Sequence, residues 1–478
     1  MRAILTLPVL FLSTVCAFSQ ERHGSLHSNY AGADAAWVNP ARSAGQWPWL
    51  EIRFLGADAH AWNSLVAYSG RDRRLVGELR QGMSDGVLVM RSAGAGQGHR
   101  ATVSLGVAGP GASLALGRTT IGLGLRSRAH VSASGLSPAM GNFIFNGLNF
   151  EPQHGIRFSD EGVRVVGAAW TEFGVNLGQV LRAQGFGILS AGVNARYLQA
   201  HAGGALSFSG IDYTVLDTAR ASVHAATLSY GFAMPAANAG HGFGADLGIT
   251  YTRTDDEADG YMPHRSSGGC TPLRYNYRVG ASLIDLGAMS FRDARSGALE
   301  AGGLDIADYN DLPIDDEGDL DSLIASATRW TRSPGMRIGL PTAASVQFDK
   351  RIAGGAYLSA AVVQQLSARD GLRLRRANSI AFNARYETRQ MEVAMPLVIE
   401  EYDLRRPALG LMLRFNGIVV GTDRIGPLVS KRDMHAVDFY FRVRWLMNRS
   451  PFCKGKRNAK APHAPGSGEA LPCTQPNG

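Results

Sequence analysis

The sequence predicts an all-β fold, a transmembrane antiparallel β-barrel of about fourteen strands with an N-terminal hatch. Strand-like alternation recurs from Leu50 to the C-terminal region, and the chain opens with an export leader. After that leader, no apolar run reaches the eighteen residues that indicate a transmembrane helix. A barrel strand combines a lipid face with a polar lumen face, which agrees with a mean hydropathy of only −0.07.

The first residues have the pattern of a secretory signal. Met1 and Arg2 form a short positive end, and residues 3–15 form an apolar stretch too short to cross a bilayer. Small residues follow at Ala17 and Ser19. We therefore predict a signal peptide over residues 1–19, cleaved near Ala17 to Gln20, and localisation to the outer membrane after export.

Residues 20–48 lack alternation and form an irregular segment before the first strand. The predicted barrel then occupies residues 49–447, with strand-like runs whose apolar positions lie two apart. An even number of strands is expected when both termini lie on the periplasmic side. Before the closing strand, the runs begin at Leu50, Val103, Ile121, Phe173, Leu189, Leu228, Phe243, Tyr277, Ala344, Leu358, Ile380, Met391 and Leu409.

The closing strand is the most regular run, because apolar and polar residues alternate in it without a break. Its predicted lumen face consists of Asp438, Tyr440, Arg442 and Arg444. Its predicted lipid face consists of Val437, Phe439, Phe441, Val443 and Trp445. Pro396 interrupts the run that begins at Met391, and because a closed barrel has no edge strand we expect this proline near one mouth.

An exported β-sandwich or β-propeller is the soluble alternative. Those folds also alternate, but their strands are typically shorter, and no repeat of blade length recurs here. We therefore favour the barrel.

The net charge of +8 does not indicate a nucleic-acid partner. The leader exports the chain, and the arginines are scattered singly through strands instead of gathering on one helix or loop. A compositional bias explains them more simply. Of the three cysteines left after cleavage, Cys453 and Cys473 are the most plausible disulfide, and we expect Cys270 to be a free thiol.

Three stretches are not strand-like: Tyr68 to Gly98, Ser290 to Trp330, and the basic tail over residues 448–478, which we expect to be disordered and periplasmic. The second is acidic and is the best candidate for a metal, but it lacks the ligand spacing of a Ca²⁺ loop, so we favour a solvated loop. Its carboxylates are Asp305, Asp308, Asp311, Asp315, Asp316, Glu317, Asp319 and Asp321.

No nucleophile elbow, zinc-protease motif or phosphate loop is present in the sequence. We predict no catalytic residues, no metal site and no cofactor. A triad built from distant strands would leave no local motif, so an enzyme stays open as the third hypothesis.

Several short motifs resemble, in order, an uncharacterised family of Gram-negative outer-membrane barrels that carries only a domain-of-unknown-function label. They are Ser28 to Gly32, Val38 to Ala41, Ala169 to Gly174, Gly242 to Gly248, Gly280 to Gly287, Leu340 to Ala343 and Ala408 to Arg414. Some relatives continue past the last strand into a folded wall-binding domain, whereas here a short Cys-containing tail follows Leu446. This departure puts any peptidoglycan-anchoring role in doubt.

The triplet Asn39, Pro40 and Ala41 also resembles the long-chain fatty-acid transporter superfamily, fourteen-stranded barrels whose N-terminal segment folds into the lumen; the type IX secretion barrel shares that architecture. The resemblance implies that residues 20–48 are a hatch and that the triplet is its elbow. Pro fixes φ and holds the preceding residue extended, which suits a rigid corner. A plain turn before the first strand explains the same residues.

Two functional hypotheses follow. The first is a passive channel for small hydrophobic or amphipathic molecules, which predicts a continuous apolar pocket between hatch and lumen wall. The second is a non-transporting barrel that docks secretion or surface-assembly partners; a lipid-modifying enzyme is third. The implied partners are outer-membrane lipid, hydrophobic small molecules or secretion-system proteins.

Overall fold

The structure, a computed structural model, describes residues 22–70, 98–264, 273–306, 329–366 and 372–451, together with 87–90 and a few positions between 73 and 80. The signal peptide, Cys270, Cys453 and Cys473 lie outside these residues. The cleavage site, the disulfide and the disordered tail therefore stay predictions. Within the described ranges, no helix is both long and apolar enough to cross a bilayer.

The described elements are mostly long strands, because residues that alternate in polarity satisfy an extended backbone with two different faces. The strands are β1 Leu50–Asn63, β2 Val66–Ser69, β3 Val87–Met90, β4 His99–Leu116, β5 Thr119–Leu136, β6 Arg157–Asp160, β7 Val163–Gln184, β8 Gly187–Val215, β9 Ala221–Ala233, β10 Gly240–Thr254, β11 Tyr275–Ile306, β12 Arg329–Gly339, β13 Ala343–Ala353, β14 Ala356–Gln365, β15 Ser379–Glu387, β16 Met391–Glu400, β17 Ala408–Leu409, β18 Leu411–Phe415, β19 Ile418–Thr422 and β20 Ala436–Met447. The α-helices are α1 His23–Leu26, α2 Pro138–Asn146 and α3 Gly426–Val429, and 3-10 turns cover Gly32–Trp37, Pro40–Gly45, Gly147–Asn149 and Glu151–Gln153.

One antiparallel sheet closes on itself. β1 pairs with β4 on one side and with β20 on the other, from Leu50 opposite Met447 to Trp62 opposite Ala436. Among the described strands, four places in the ring are each filled by two consecutive pieces that run in the same direction: β6 with β7, β9 with β10, β12 with β13, and β17 with β18. The ring therefore has 14 strands, and the predicted barrel is confirmed.

The predicted number is right because two errors of assignment cancel. The alternation treats the runs at Leu228 and Phe243 as separate strands, whereas β9 and β10 both pair with β8 and β11 as halves of one strand. The alternation also misses β19. A local signal for it exists, since Asn416-Gly417 joins β18 to β19 with Asn416 at φ 51°, the left-handed conformation of a two-residue hairpin turn.

The two ends of the barrel differ. Two-residue turns connect β4 to β5, β7 to β8, β13 to β14 and β18 to β19, and the first and last strands of the ring begin and end at this same end. Most longer connections lie at the other end, as in outer-membrane barrels with short periplasmic turns, but the connection over residues 255–274 between β10 and β11 lies at the end with the short turns. We call these the short-turn end and the long-loop end.

Burial alternates along the strands as the period of two requires. In β10, Phe243, Leu247 and Ile249 point outward and are 71%, 48% and 47% exposed, while the intervening Asp246 and Thr250 are buried. Similar exposed apolar side chains cover the outer face of the other ring strands, whereas the inner face carries buried polar and charged residues. The outside is apolar and the inside is polar.

Strand lengths vary strongly around the ring. β8 and β11 have 29 and 32 residues, and their far halves pair with β9 beyond the long-loop end. β18 and β19 have 5 residues each. One side of the barrel is therefore tall and the opposite side is low.

Two expectations about irregular stretches are wrong. Tyr68 to Gly98 contains a hairpin, in which β2 pairs with β3. The stretch from Ser290 to Trp330 is strand at both ends, because β11 continues to Ile306 and β12 begins at Arg329. The acidic residues from Asp308 to Asp321 lie outside the described residues.

Pro396 does not lie near a mouth, as expected, but in the middle of β16. It stands opposite Asn383 of β15 on one side and accepts a hydrogen bond from the Gly410 amide on the other, at 2.7 Å. Proline has no N–H to donate, and the hydrogen bond that it cannot make would be to the neighbouring strand at Gly410. Gly410 lies between β17 and β18. A local break in pairing tolerates the proline at mid-strand.

Candidate functional site

The candidate site is the interior of the barrel, which the N-terminal segment fills. Residues 22–48, which we call the plug, are nearly all buried, and their 3-10 turn Pro40–Gly45 packs against β7, β8 and β10. α1 lies against β15, β16 and β18 across the lumen. The plug therefore crosses the barrel from one wall to the other before β1 begins at Leu50.

Asn39, Pro40 and Ala41 form a corner at the inner wall. Asn39 is extended, as a residue before proline should be, and its side-chain oxygen accepts a hydrogen bond from the Ala41 amide at 3.0 Å. Its side-chain nitrogen, Nδ2, donates to Ile249 O at 3.2 Å and to Gln347 Oε1 at 2.8 Å. Asn39 is fully buried and so joins the plug to β10 and β13.

Glycines of the wall make room for this corner. A Cβ at Gly192 would lie 2.4 Å from the carbonyl carbon of Pro40, and one at Gly248 would lie 2.1 Å from Asn39 Oδ1. Both distances are shorter than any side chain tolerates, so the sequence keeps glycine where plug backbone touches wall.

Asp34 is the main charged anchor of the plug. Its carboxylate lies 3.3 Å from Arg22 of the plug and 3.4 Å from Arg442 of the closing strand. Arg53 and Arg444 lie 3.9 Å away. Burial alone would raise the pKa of Asp34, but attraction from the four arginines outweighs it and holds that pKa well below its usual range.

The late strands hold the plug at further points. Asp423, just after β19, accepts hydrogen bonds from the amides of His23 at 2.7 Å and Gly24 at 3.1 Å. Ser28 Oγ donates to Glu392 at 2.6 Å, and Arg444 donates to the Ala31 carbonyl at 2.6 Å. Charge-assisted bonds of this kind are among the stronger ones in proteins, so the plug is firmly fixed.

A second charged network lies above the plug, toward the long-loop end. Arg128 bridges Glu172 at 3.0 Å and Asp285 at 2.8 Å. Arg196 lies 2.5 Å from Asp246 and 3.1 Å from Asp285. All five residues are buried, and each carboxylate accepts from at least one guanidinium.

A second piece of chain also enters the lumen. Residues 372–378, between β14 and β15, are the inserted segment, and Gly339 of the wall forms a parallel bridge to Arg373. His130 Nε2 donates to the Arg375 carbonyl at 2.6 Å, and the Arg375 amide donates to Ser132 Oγ at 3.0 Å. The segment thus spans from β12 to β5 and covers the plug from the other side.

Leu374 of the inserted segment fills an apolar chamber in the lumen. Leu374 is fully buried and belongs to a cluster of inward-facing apolar side chains. The chamber borders the charged network, because Trp170 donates from its indole nitrogen to Glu172 at 2.8 Å. Its largest lining residues are Trp170, Leu198, Met289, Phe291, Ile338 and Leu340.

Among the described residues, cavities beside the plug include two of about 40 Å³ each. One is lined mainly by charged and polar residues, including Arg22, Arg126 and Asp285. The other lies between Trp37 of the plug and the wall glycines Gly122 and Gly124. Among the described residues, charged networks thus occupy space where the channel hypothesis expects a continuous apolar pocket.

The closing strand has the two faces that the alternation predicts. Asp438, Tyr440, Arg442 and Arg444 are buried in the lumen. On the outer face Phe439 and Trp445 are 44% and 45% exposed, and Val437, Phe441 and Val443 are partly exposed. Lipid contact of the outer set stays a prediction.

The structure places the elbow residues against β8, β10 and β13, whereas the plug meets the lumen face of the closing strand through Asp34 and Arg442. Sequence reasoning missed Asp34 and Leu374, because neither stands in a motif. The signal for Asp34 was available, since a lone carboxylate in the segment beside Asn39 suits a lumen lined by arginine. Among the described residues, no three His, Cys, Asp or Glu side chains are grouped to hold a metal ion.

Comparisons with known proteins find one family and several solved structures. A sequence profile described as "Family of unknown function (DUF5723)" matches residues 92–423, which include the motifs from Ala169 to Arg414. A comparison with curated proteins finds no match.

Among solved structures, the similar chains include two toluene transporters and a FadL homologue. The toluene transporter TodX of P. putida is 9% identical, with 87% of this chain and 92% of that chain covered and a TM-score of 0.36. The toluene transporter TbuX of Ralstonia pickettii is 12% identical, with 87% and 94% covered and a TM-score of 0.37. A FadL homologue of Pseudomonas aeruginosa is 12% identical, with 91% and 99% covered and a TM-score of 0.40.

Proposed function

We propose that this chain, which belongs to the family of unknown function DUF5723, is a gated passive channel of the outer membrane for small hydrophobic or amphipathic molecules. The apolar outer face supports the membrane assignment. A continuous exposed apolar surface on a soluble protein would promote association, whereas in a bilayer it is the favourable surface.

The observation that carries the channel proposal is the apolar chamber filled by Leu374. A lumen that served only as a rigid scaffold would need no apolar compartment beside a charged network. Here a leucine from a segment of the wall occupies that compartment, as an apolar molecule would. Movement of the inserted segment would free a site lined by Trp170, Phe291 and Leu340.

The gate in this proposal has two parts. The inserted segment covers the chamber on the long-loop side, and the plug closes the lumen on the short-turn side. The plug is held by ion pairs and hydrogen bonds to the wall, and the inserted segment is held by these and by one short parallel bridge at Gly339. Neither is a strand of the ring, so either can move while the sheet stays closed.

A deletion strain tests the proposal directly. The strain is supplied with the wild-type chain, with L374A, or with L404A as a control, since Leu404 is 76% exposed in the loop after β16. We expect the deletion to slow uptake of labelled aromatic hydrocarbons and fatty acids, and L374A to permit faster uptake than L404A because the chamber is partly emptied.

The same strain separates the alternative of a docking barrel. If uptake is unchanged in the deletion strain while surface proteins fail to be secreted, the channel proposal is wrong and docking is favoured. Equal uptake through L374A and L404A would contradict the gating role of the inserted segment.

A further inference from the structure

The inserted segment places two different kinds of side chain against the wall. Leu374 fills the apolar chamber, and Arg376, two residues later, forms an ion pair with Asp285 of β11. Arg375, between them, forms a separate ion pair with Glu401 at 2.6 Å. The segment therefore supplies an apolar group and a cation to neighbouring points of the lumen.

The wall behind Arg376 carries one more acid than base. Among the described residues of the wall, the ion pairs at this place join three carboxylates to two guanidinium groups, and these are Asp285, Glu172, Asp246, Arg128 and Arg196. All five are at most 5% exposed. The next inward arginine of β5, Arg126, pairs with Asp58 at 3.5 Å. Arg376 is therefore the cation that balances the third carboxylate.

The apolar chamber borders these acids through one aromatic side chain. Trp170 lines the chamber, and its indole nitrogen donates to Glu172 at 2.8 Å. The guanidinium carbon of Arg128 lies 4.9 Å from the centroid of the Trp170 ring, so this ring already has a cation on its face. Aromatic faces attract cations, and the attraction is stronger where water is excluded. A carboxylate beside an aromatic wall is an arrangement that suits an organic cation.

Asp285 keeps its position through bonds that do not involve the inserted segment. Its backbone has φ 54°, a left-handed conformation that is uncommon for residues other than glycine and is often found at functional sites. Its amide donates to Asp246 Oδ1 at 2.7 Å, and its carbonyl accepts from Thr342 Oγ1 at 2.8 Å. When Arg376 leaves, a buried carboxylate therefore stays behind without its full counter-charge, which is costly.

We propose that the chamber, once the inserted segment has moved, binds small amphipathic cations. An apolar group of the ligand takes the place of Leu374, and its ammonium group takes the place of Arg376 beside Asp285. The inserted segment is then a mimic of the ligand built into the chain. This inference rests on the movement of the inserted segment in the proposed function, and it narrows the amphipathic molecules of that function to cations.

Three matched probes test the charge preference on the detergent-purified full chain. They are 2-phenylethylammonium, 2-phenylethanol and phenylacetate, which share an aromatic ring and differ in charge. Calorimetric titration of R376Q, in which Asp285 has lost the cation of the segment, should show binding of the ammonium probe at least about tenfold tighter than that of the alcohol. Bonds between two charged groups are among the stronger ones in proteins.

R375Q is the matched control. It also removes one ion pair of the inserted segment, the one to Glu401, but it leaves Arg376 to compete for Asp285. Its preference for the ammonium probe over the alcohol should therefore be several-fold smaller than that of R376Q. D285N should bind the two probes equally, and asparagine tolerates the left-handed backbone at this position.

The outcomes separate this inference from the channel proposal. Equal affinity of R376Q for the ammonium and alcohol probes, an equal preference in R376Q and R375Q, or tighter binding of phenylacetate overturns the cation assignment and leaves the chamber and its gate intact. If none of the probes binds either variant, the chamber does not open, and the proposed channel is wrong together with this inference.

Discussion

Replacing Asp34 by asparagine should release the plug without opening the sheet. The carboxylate is the shared counter-charge of Arg22, Arg53, Arg442 and Arg444, and its side chain is only 8% exposed. Asparagine keeps the shape and removes the charge. Four buried guanidinium groups are then left with only Asp58 and Glu51 as nearby acids.

The structure allows an estimate of the effect. Removing one partner from a buried ion pair typically costs about 3–5 kcal/mol, because the other charge stays buried and uncompensated. If that cost falls on the plug alone, the population of molecules with a displaced plug rises by roughly two to almost four powers of ten. The wall strands, with their own hydrogen bonds, should be almost unaffected.

Hydrogen exchange followed by mass spectrometry measures this change segment by segment. Peptides from residues 22–48 of D34N should exchange much faster than in the wild type, while peptides from β7 and β8 should not change. D256N is the matched control, since Asp256 is exposed in the connection after β10. The variant should also conduct ions more often in planar lipid bilayers.

The reasoning is refuted if D34N and the wild type protect the plug equally. It is also refuted if plug and wall lose protection together, because the plug would then be part of one cooperative unit with the sheet and could not act as a gate.

Three further perturbations give sharp expectations. G192A should weaken the plug, since its Cβ would lie 2.4 Å from plug backbone, while G210A, with open space at that point, should leave plug exchange unchanged. Burial, opposed only in part by Asp349, lowers the pKa of His27 well below 6.5, so the stability that neutral His27 contributes is present above 6.5 and is lost as pH falls. Plug exchange, corrected for its intrinsic rate, should therefore rise on acidification below 6.5, and H27Q should remove that part of the dependence. G410A should lower the thermal midpoint, because its Cβ would lie 2.5 Å from the Thr422 carbonyl, whereas G426A, with nothing nearby, should not.

Much of the wall could be predicted from the sequence, because a strand with one wet and one apolar face must alternate. Asp438 and Arg442 were assigned to the lumen on that ground alone, and both are buried there. The period fails where a strand is too short to show it, as in Ile418–Thr422, or where a break divides one strand into two runs, as between β9 and β10.

The charged interior could not be predicted in the same way. Its arginines stand singly in sequence because alternation gives each strand only a few inward positions, and this scatter supported a compositional explanation. The structure shows a physical role for them, since Arg128, Arg196 and Arg442 each bind carboxylates on other strands. Which acid pairs with which arginine depends on the register of the strands and on how the barrel closes. Neither can be predicted from the identity of single residues.

The position of the plug anchors has a consequence for biogenesis. The amide of His23 is bound by Asp423, 400 positions later in the chain, and Asp34 forms ion pairs with Arg442 and Arg444 of β20. β20 is also the strand that seals the sheet against β1. The plug is therefore exported before the strands that it contacts. Either a chaperone-like step must hold the plug, or the plug must lie outside the barrel transiently, until the sheet closes.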